Sequence, residues 1–190
     1  MPINKTIDWQ TIFTGSLFEI LQNSKGWEKA VRAPGVRIIL DDKKSGKILL
    51  SQEFRYELNE HDFRLPGGKV FDTLDEYTAF RDNNADMLVP AAKRVIAETR
   101  EEVNYDIRAP RFYDRSTLGA TVEWDLYVFV TTDFNETSED LREEDEKDDI
   151  ASAGWYTYDE VRQMIMEKKM QEDRIAMILL RYLDEKKEAA

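Results

Sequence analysis

Along the first third of the chain, apolar residues come in short runs broken by polar turns. Residues 16–22, SLFEILQ, alternate closely enough for a strand. Residues 35–40, GVRIIL, form a β-branched run, and 48–56, ILLSQEFRY, form its return. Between them Ser45-Gly46 is a turn pair, so the two runs predict a hairpin. In 62–72, DFRLPGGKVFD, Pro66, Gly67 and Gly68 interrupt regular structure and let backbone approach closely.

The pattern then turns helical. A short helix is predicted over 76–81, and a loop over 81–86. Pro90 suits the first turn of a second helix, which runs over 91–103. Val95, Ile96, Thr99 and Val103 form its apolar flank, with Glu98, Glu101 and Glu102 opposite. Asn104 is a suitable left-handed stop. RFYDRSTLGAT (111–121) and EWDLYVFVTTDF (123–134) predict another hairpin, with 124–130 a buried strand. A short strand over 155–157 leads into a helix capped by Thr157 or Asp159. The closing helix carries Ile175, Ile178, Leu179 and Tyr182 at helical spacing. Mixed strands with a few helices indicate an α/β or α+β fold.

Composition narrows the chemistry. The 190 residues suit one domain, and 42% hydrophobic content supplies a core. No run approaches the roughly 18 apolar residues that span a bilayer, and the first residues lack an apolar leader. A cytoplasmic protein without a membrane partner is expected. The absence of cysteine excludes disulfides, zinc–thiolate sites and thiol nucleophiles. The single histidine, His61, argues against a Ser-His-Asp triad and histidine metal sites. Any metal would be held by carboxylates and carbonyls, which favours magnesium, manganese or calcium. A net charge of -12 argues against a nucleic-acid partner. Much of that charge lies in 136–149, ETSEDLREEDEKDD, which reads on its own as a solvated loop.

One stretch resists the ordinary reading. Residues 97–105, AETREEVNY, place three carboxylates on one helix, where like charges three and four apart repel. A solvated helix face with Arg100 as counter-charge is one account. The glycine turn before the helix and the asparagine after it support another, an acidic cup for a hard divalent cation. Such cations serve pyrophosphate chemistry.

LPGGK followed by AETREEVNY resembles the Nudix hydrolases. Their box is a glycine, five residues, a glutamate, seven residues, then Arg-Glu-apolar-x-Glu-Glu-x-Gly-apolar. Gly68 matches the opening glycine, Glu98 the glutamate after the arginine, and Glu101 and Glu102 the glutamate pair. Asn104 stands for the glycine and Tyr105 for the last apolar residue. Ala97 replaces the arginine and Thr99 an apolar residue. Position 97 follows Gly68 by 29 residues, about fifteen more than the box allows. An insertion therefore lies within 71–90. The mid-box glutamate has three candidates, Asp72, Asp75 and Glu76. VRAPGVRIIL, ILLSQEFRYEL, LPGGK and the acidic loop with its closing helix, in that order, resemble the ADP-ribose pyrophosphatase branch.

The resemblance implies an α/β/α sandwich around a mixed sheet. Residues 1–34 would be an antiparallel strand extension and 35–190 the hydrolase domain, with a lid as one role for the insertion. It implies hydrolysis of the pyrophosphate of a nucleotide sugar such as ADP-ribose, giving a nucleoside monophosphate and a sugar phosphate. Glu98 and Glu102 would bind Mg2+, with Mn2+ as a substitute. Glu101 would be a further ligand or an orienting group, and the Gly67 carbonyl would complete the site. Among Glu143, Glu144 and Glu146, Glu144 is favoured as the loop residue that helps activate water. Arg55 would clamp phosphate. Trp27, or Trp9 or Phe18, would stack on the base, often across a homodimer. Gly119 would border the terminal ribose. Two rivals stand beside this reading: a degenerate module that binds or senses nucleotide sugars, and an interaction protein whose acidic loop docks a basic partner.

Overall fold

In the computed structural model, the described residues are 8–83, 85–138 and 150–188. They form β1 (Trp9–Thr14), β2 (Glu19–Asn23), β3 (Glu28–Val31), β4 (Gly35–Asp42), β5 (Lys47–Arg55) and β6 (Glu60–Arg64). Helices α1 (Leu74–Asp82) and α2 (Leu88–Val103) follow, then β7 (Tyr105–Ile107), β8 (Arg111–Ser116), β9 (Val122–Glu123), β10 (Leu126–Thr131), β11 (Phe134–Glu136) and β12 (Ile150–Thr157). The last elements are α3 (Tyr158–Met166) and α4 (Asp173–Glu188).

The main sheet has the order β12-β5-β4-β10-β8, with β6 on β5. Its centre, β4 and β10, is parallel, and its other pairs are antiparallel. Strands covered on both faces read as near-continuous apolar runs, which is why GVRIIL and LYVFV lack alternation. From β4, Val36, Ile38 and Leu40 pack with Val95 and Val103 of α2. Ile39 packs on the other face with Val161, Ile165, Ile175 and Leu179 of α3 and α4. The result is an α/β/α sandwich on a mixed sheet, as expected.

Three sequence expectations need correction. Within α2, Ile96 is exposed while Glu98 is buried, so the helix does not divide cleanly into an apolar and an acidic face. The expected β8–β10 hairpin pairs antiparallel, but β9 leaves it and joins β3 in parallel. β9 thereby completes a four-stranded sheet of order β1-β2-β3-β9. Finally, the strand expected over 155–157 is eight residues long, because β12 pairs with β5 from Ile150 to Thr157, with one register shift between Ile150 and Ser152. The segment 71–90 carries α1, capped by Thr73 and Glu76. Its Leu74 and Tyr77 pack on Leu21 and Val31 of the extension, and Arg81 reaches Glu19 at 3.3 Å.

Candidate active site

The Pro66-Gly67-Gly68 turn lies along β4 as if it were a further strand. The N–H of Val36 donates to the Gly68 carbonyl and that of Ile38 to the Pro66 carbonyl, both at 2.9 Å. Gly67 sits at φ 142°, and a Cβ there would fall 2.9 Å from the Arg37 Cα and closer still to the Val36 carbonyl oxygen. Only glycine permits that approach. Helix α2 then closes on the turn. Glu98 and Glu102, one helical turn apart, share a face. The Gly67 N–H donates to Glu102 Oε2 at 2.6 Å. The Glu98 carboxylate lies over Gly68, where an added Cβ would meet Oε2 at 2.7 Å and Oε1 closer. The left-handed Asn104 (φ 59°, ψ 39°) ends the helix just past these residues.

Burial without full compensation perturbs both carboxylates. Desolvation pushes Glu98 above the ordinary carboxylate value, while Arg94, donating from Nε to Oε1 at 2.7 Å, opposes the shift. Glu102 is raised well above that value by burial first, then by Glu53 and Glu98, with Arg37 and the Gly67 N–H opposing. Glu101 is half-exposed and lies 3.9 Å from Arg94 Nη2. Arg94 thus stands one turn before the alanine at 97 and supplies a cation to the same glutamates.

A second set of charged groups adjoins the first through Glu53. Arg64 Nε lies 3.5 Å from Glu53, and Arg64 also pairs with Asp62 at 3.1 Å and with Glu172. Arg55 Nη1 is 3.7 Å from Glu53, while its Nε and Nη2 donate to Glu57 at 2.9 and 2.6 Å. Arg55, Asp62, Arg64, Trp124, Glu172 and Arg174 line a cavity of about 510 Å³. Trp124 is clasped by two guanidinium groups, Arg174 at 4.0 Å and Arg32 at 4.1 Å from its ring centroid. Among the described residues, Arg64 Nε and Arg174 Nη2 are buried without a hydrogen-bond partner. A phosphate oxygen would satisfy such donors well.

The other sequence candidates fall elsewhere. Trp27 stands 69% exposed in the β2–β3 turn. Gly119 lies after β8 at φ 86° with open space around it. Glu76, a candidate mid-box glutamate, accepts the Thr73 N–H within the α1 cap. Glu143, Glu144 and Glu146 lie outside the described residues. Sequence reasoning missed Arg37, Glu53, Arg64, Glu172, Arg174 and Trp124. Only Arg37 carried a local signal, as a charge inside an apolar run.

Among the described residues, no three acidic or histidine side chains converge on one point. The donors at the turn are nonetheless hard oxygens, two glutamates and a carbonyl, which suit Mg2+. Both glutamates are buried beyond what their partners offset, and a cation would relieve that. On chemistry the set fits, although Arg37 already donates to the Gly67 carbonyl.

No protein-family model matches the chain, and no curated protein matches it significantly by sequence. Solved structures match by fold. An ADP compounds hydrolase superposes with a TM-score of 0.61 at 14% identity, covering 94% of this chain and 90% of that one. A NUDIX hydrolase from Nitrosomonas europaea superposes at 0.58 and 12% identity, over 79% of this chain and 87% of that one. The chain therefore has the Nudix-hydrolase fold.

Proposed function

We propose that this chain is a Nudix-type pyrophosphohydrolase that cleaves a nucleoside diphosphate linked to a sugar, with ADP-ribose as the model substrate. The observation that carries the reading is the closure of Glu98 and Glu102 on the Gly67-Gly68 turn, joined through Glu53 to an arginine-lined cavity. Glu98, Glu102 and the Gly67 carbonyl would hold Mg2+, with Mn2+ as a substitute, and Glu101 would join or orient them. When bound, the cation offsets phosphate charge and lowers the pKa of water. Arg55, Arg64 and Arg174 hold the diphosphate, and their fixed donors stabilise charge that grows at the leaving phosphate. Glu144 is the residue we favour for accepting the proton of the attacking water. One water adds across one P–O–P bond, giving a nucleoside monophosphate and a sugar phosphate. Trp27 and Gly119 are assigned to the base and the terminal ribose of the substrate, and a homodimer is the assembly that would bring Trp27 to a neighbouring site.

One observation favours a second reading, a nucleotide-sugar binding module without turnover: a guanidinium already engages the carbonyl that a metal would need. One experiment separates the two. Nucleoside diphosphate sugars are incubated with Mg2+ or Mn2+, and phosphate is released from the products by an added phosphatase. Turnover of ADP-ribose that disappears in Glu102→Gln establishes the hydrolase. Binding of nucleotide and metal with no turnover across the panel establishes the module.

A further inference from the structure

Arg37 is the anomaly of the central sheet. Its neighbours Val36, Ile38, Ile39 and Leu40 are all fully buried, and Arg37 is itself buried among them. A charge is tolerated in such a place only when other charges and acceptors surround it. Nη1 donates to the Gly67 carbonyl and, at 3.1 Å, to the Val36 carbonyl, while Nε has no hydrogen-bond partner among the described residues. Burial first, and then Arg64, push its pKa below the ordinary guanidinium value, while Glu53, Glu102 and Glu172 oppose that shift. Arg37 is thus seated on two backbone carbonyls, with an incomplete set of hydrogen bonds and carboxylates nearby that offset only part of its burial. A guanidinium cannot shed its proton to make way for another cation, so it must move.

We propose that Arg37 is a built-in counter-cation for the carboxylates around the turn, and that a divalent metal and Arg37 compete for the Gly67 carbonyl. The inference rests on the metal assignment made above for Gly67, Glu98 and Glu102. In the metal-free chain Arg37 offsets only part of the charge around the turn. Metal enters when Arg37 gives up its seat, and its affinity is reduced by that displacement.

The probe is Mn2+, with the free ion counted by electron paramagnetic resonance in solutions of the full chain. Arg37→Met, similar in volume and uncharged, is expected to bind Mn2+ at least tenfold more tightly than the wild type. Arg37→Lys, which keeps a cation, is expected to gain less. Equal or weaker affinity in Arg37→Met overturns the proposal, as does absence of Mn2+ binding in both chains. Should Arg37→Met fail to fold, the wild type alone decides. In nitrogen-15 spectra, the Arg37 guanidinium protons are expected to exchange slowly without metal and to lose that protection at saturating Mg2+. Unchanged protection with Mg2+ present overturns the idea. Affinity and turnover are read separately. Wild-type turnover with unchanged Arg37→Met affinity sinks this inference alone, and a gain in affinity in a chain that never turns over sinks only the hydrolase.

Discussion

Replacing Gly67 with alanine tests how the candidate site is built. The new Cβ would lie 2.9 Å from both the Arg37 Cα and the Val36 carbonyl carbon, and closer to the carbonyl oxygen. These are backbone atoms of a central strand, so no side chain can swing aside. Overpacking of this kind costs about 1–3 kcal/mol. Holding a non-glycine residue at φ 142° adds about 1–3 kcal/mol. A loss near 4 kcal/mol is then expected, against total stabilities of about 5–15 kcal/mol for domains. At about 2–4 °C per kcal/mol for a chain of this size, Tm should fall by roughly 8–16 °C. Gly26→Ala is the matched control. Its φ is 79°, but nothing lies within 4 Å of an added Cβ, so only about 1–2 kcal/mol of backbone strain remains. Thermal and urea unfolding of both variants, followed by circular dichroism, give the comparison. If Gly67→Ala loses no more than Gly26→Ala, the turn is not seated on β4 and the site described here is wrong.

Other predictions are more local. Glu102 binds its proton more tightly in the folded chain than in the unfolded one, so its contribution is fully present below the ordinary carboxylate value and is lost as pH rises through the raised one. In chelator, Glu102→Gln should therefore gain stability relative to wild type as pH rises above the ordinary carboxylate value. Urea midpoints across that range check this, and a constant difference would refute it. Asn104→Ala should lose about 1–2 kcal/mol at its left-handed position, whereas Asn104→Gly should stay close to wild type by the same urea assay. If the hydrolase assignment holds, Arg55→Ala should lower kcat/KM by roughly 10–150-fold, the equivalent of one charge-assisted hydrogen bond of about 1.5–3 kcal/mol. Steady-state kinetics on ADP-ribose read the effect, and an unchanged kcat/KM would remove Arg55 from the phosphate site.

Much of the fold was legible because its signals are local. The runs at 35–40 and 48–56, the Ser45-Gly46 turn, the cap at Thr157 and the stop at Asn104 depend on neighbours a few residues away, and the structure has each of them. The closing helix buries Ile175, Ile178, Leu179 and Tyr182 as their spacing requires. The extension was less legible. β1 and β3 are short and carry little periodicity, and they are strands because β2 and β9 pair with them.

The site divides the same way. LPGGK and the three glutamates of α2 stand out in the chain because composition marks them. Whether those glutamates face water or the protein depends on how α2 is rotated against the sheet, and that rotation buries Glu98 under Arg94. The partners that set the electrostatics arrive from distant segments: Arg37 at Gly67, thirty residues away, and Glu172 at Arg64, 108 residues away. Periodicity and propensity describe a residue's near neighbours, so they mark out the strands, the turn and the acidic helix. Charge balance inside a core is a sum over everything the fold brings close, and tertiary packing alone placed an arginine at the Gly67 carbonyl.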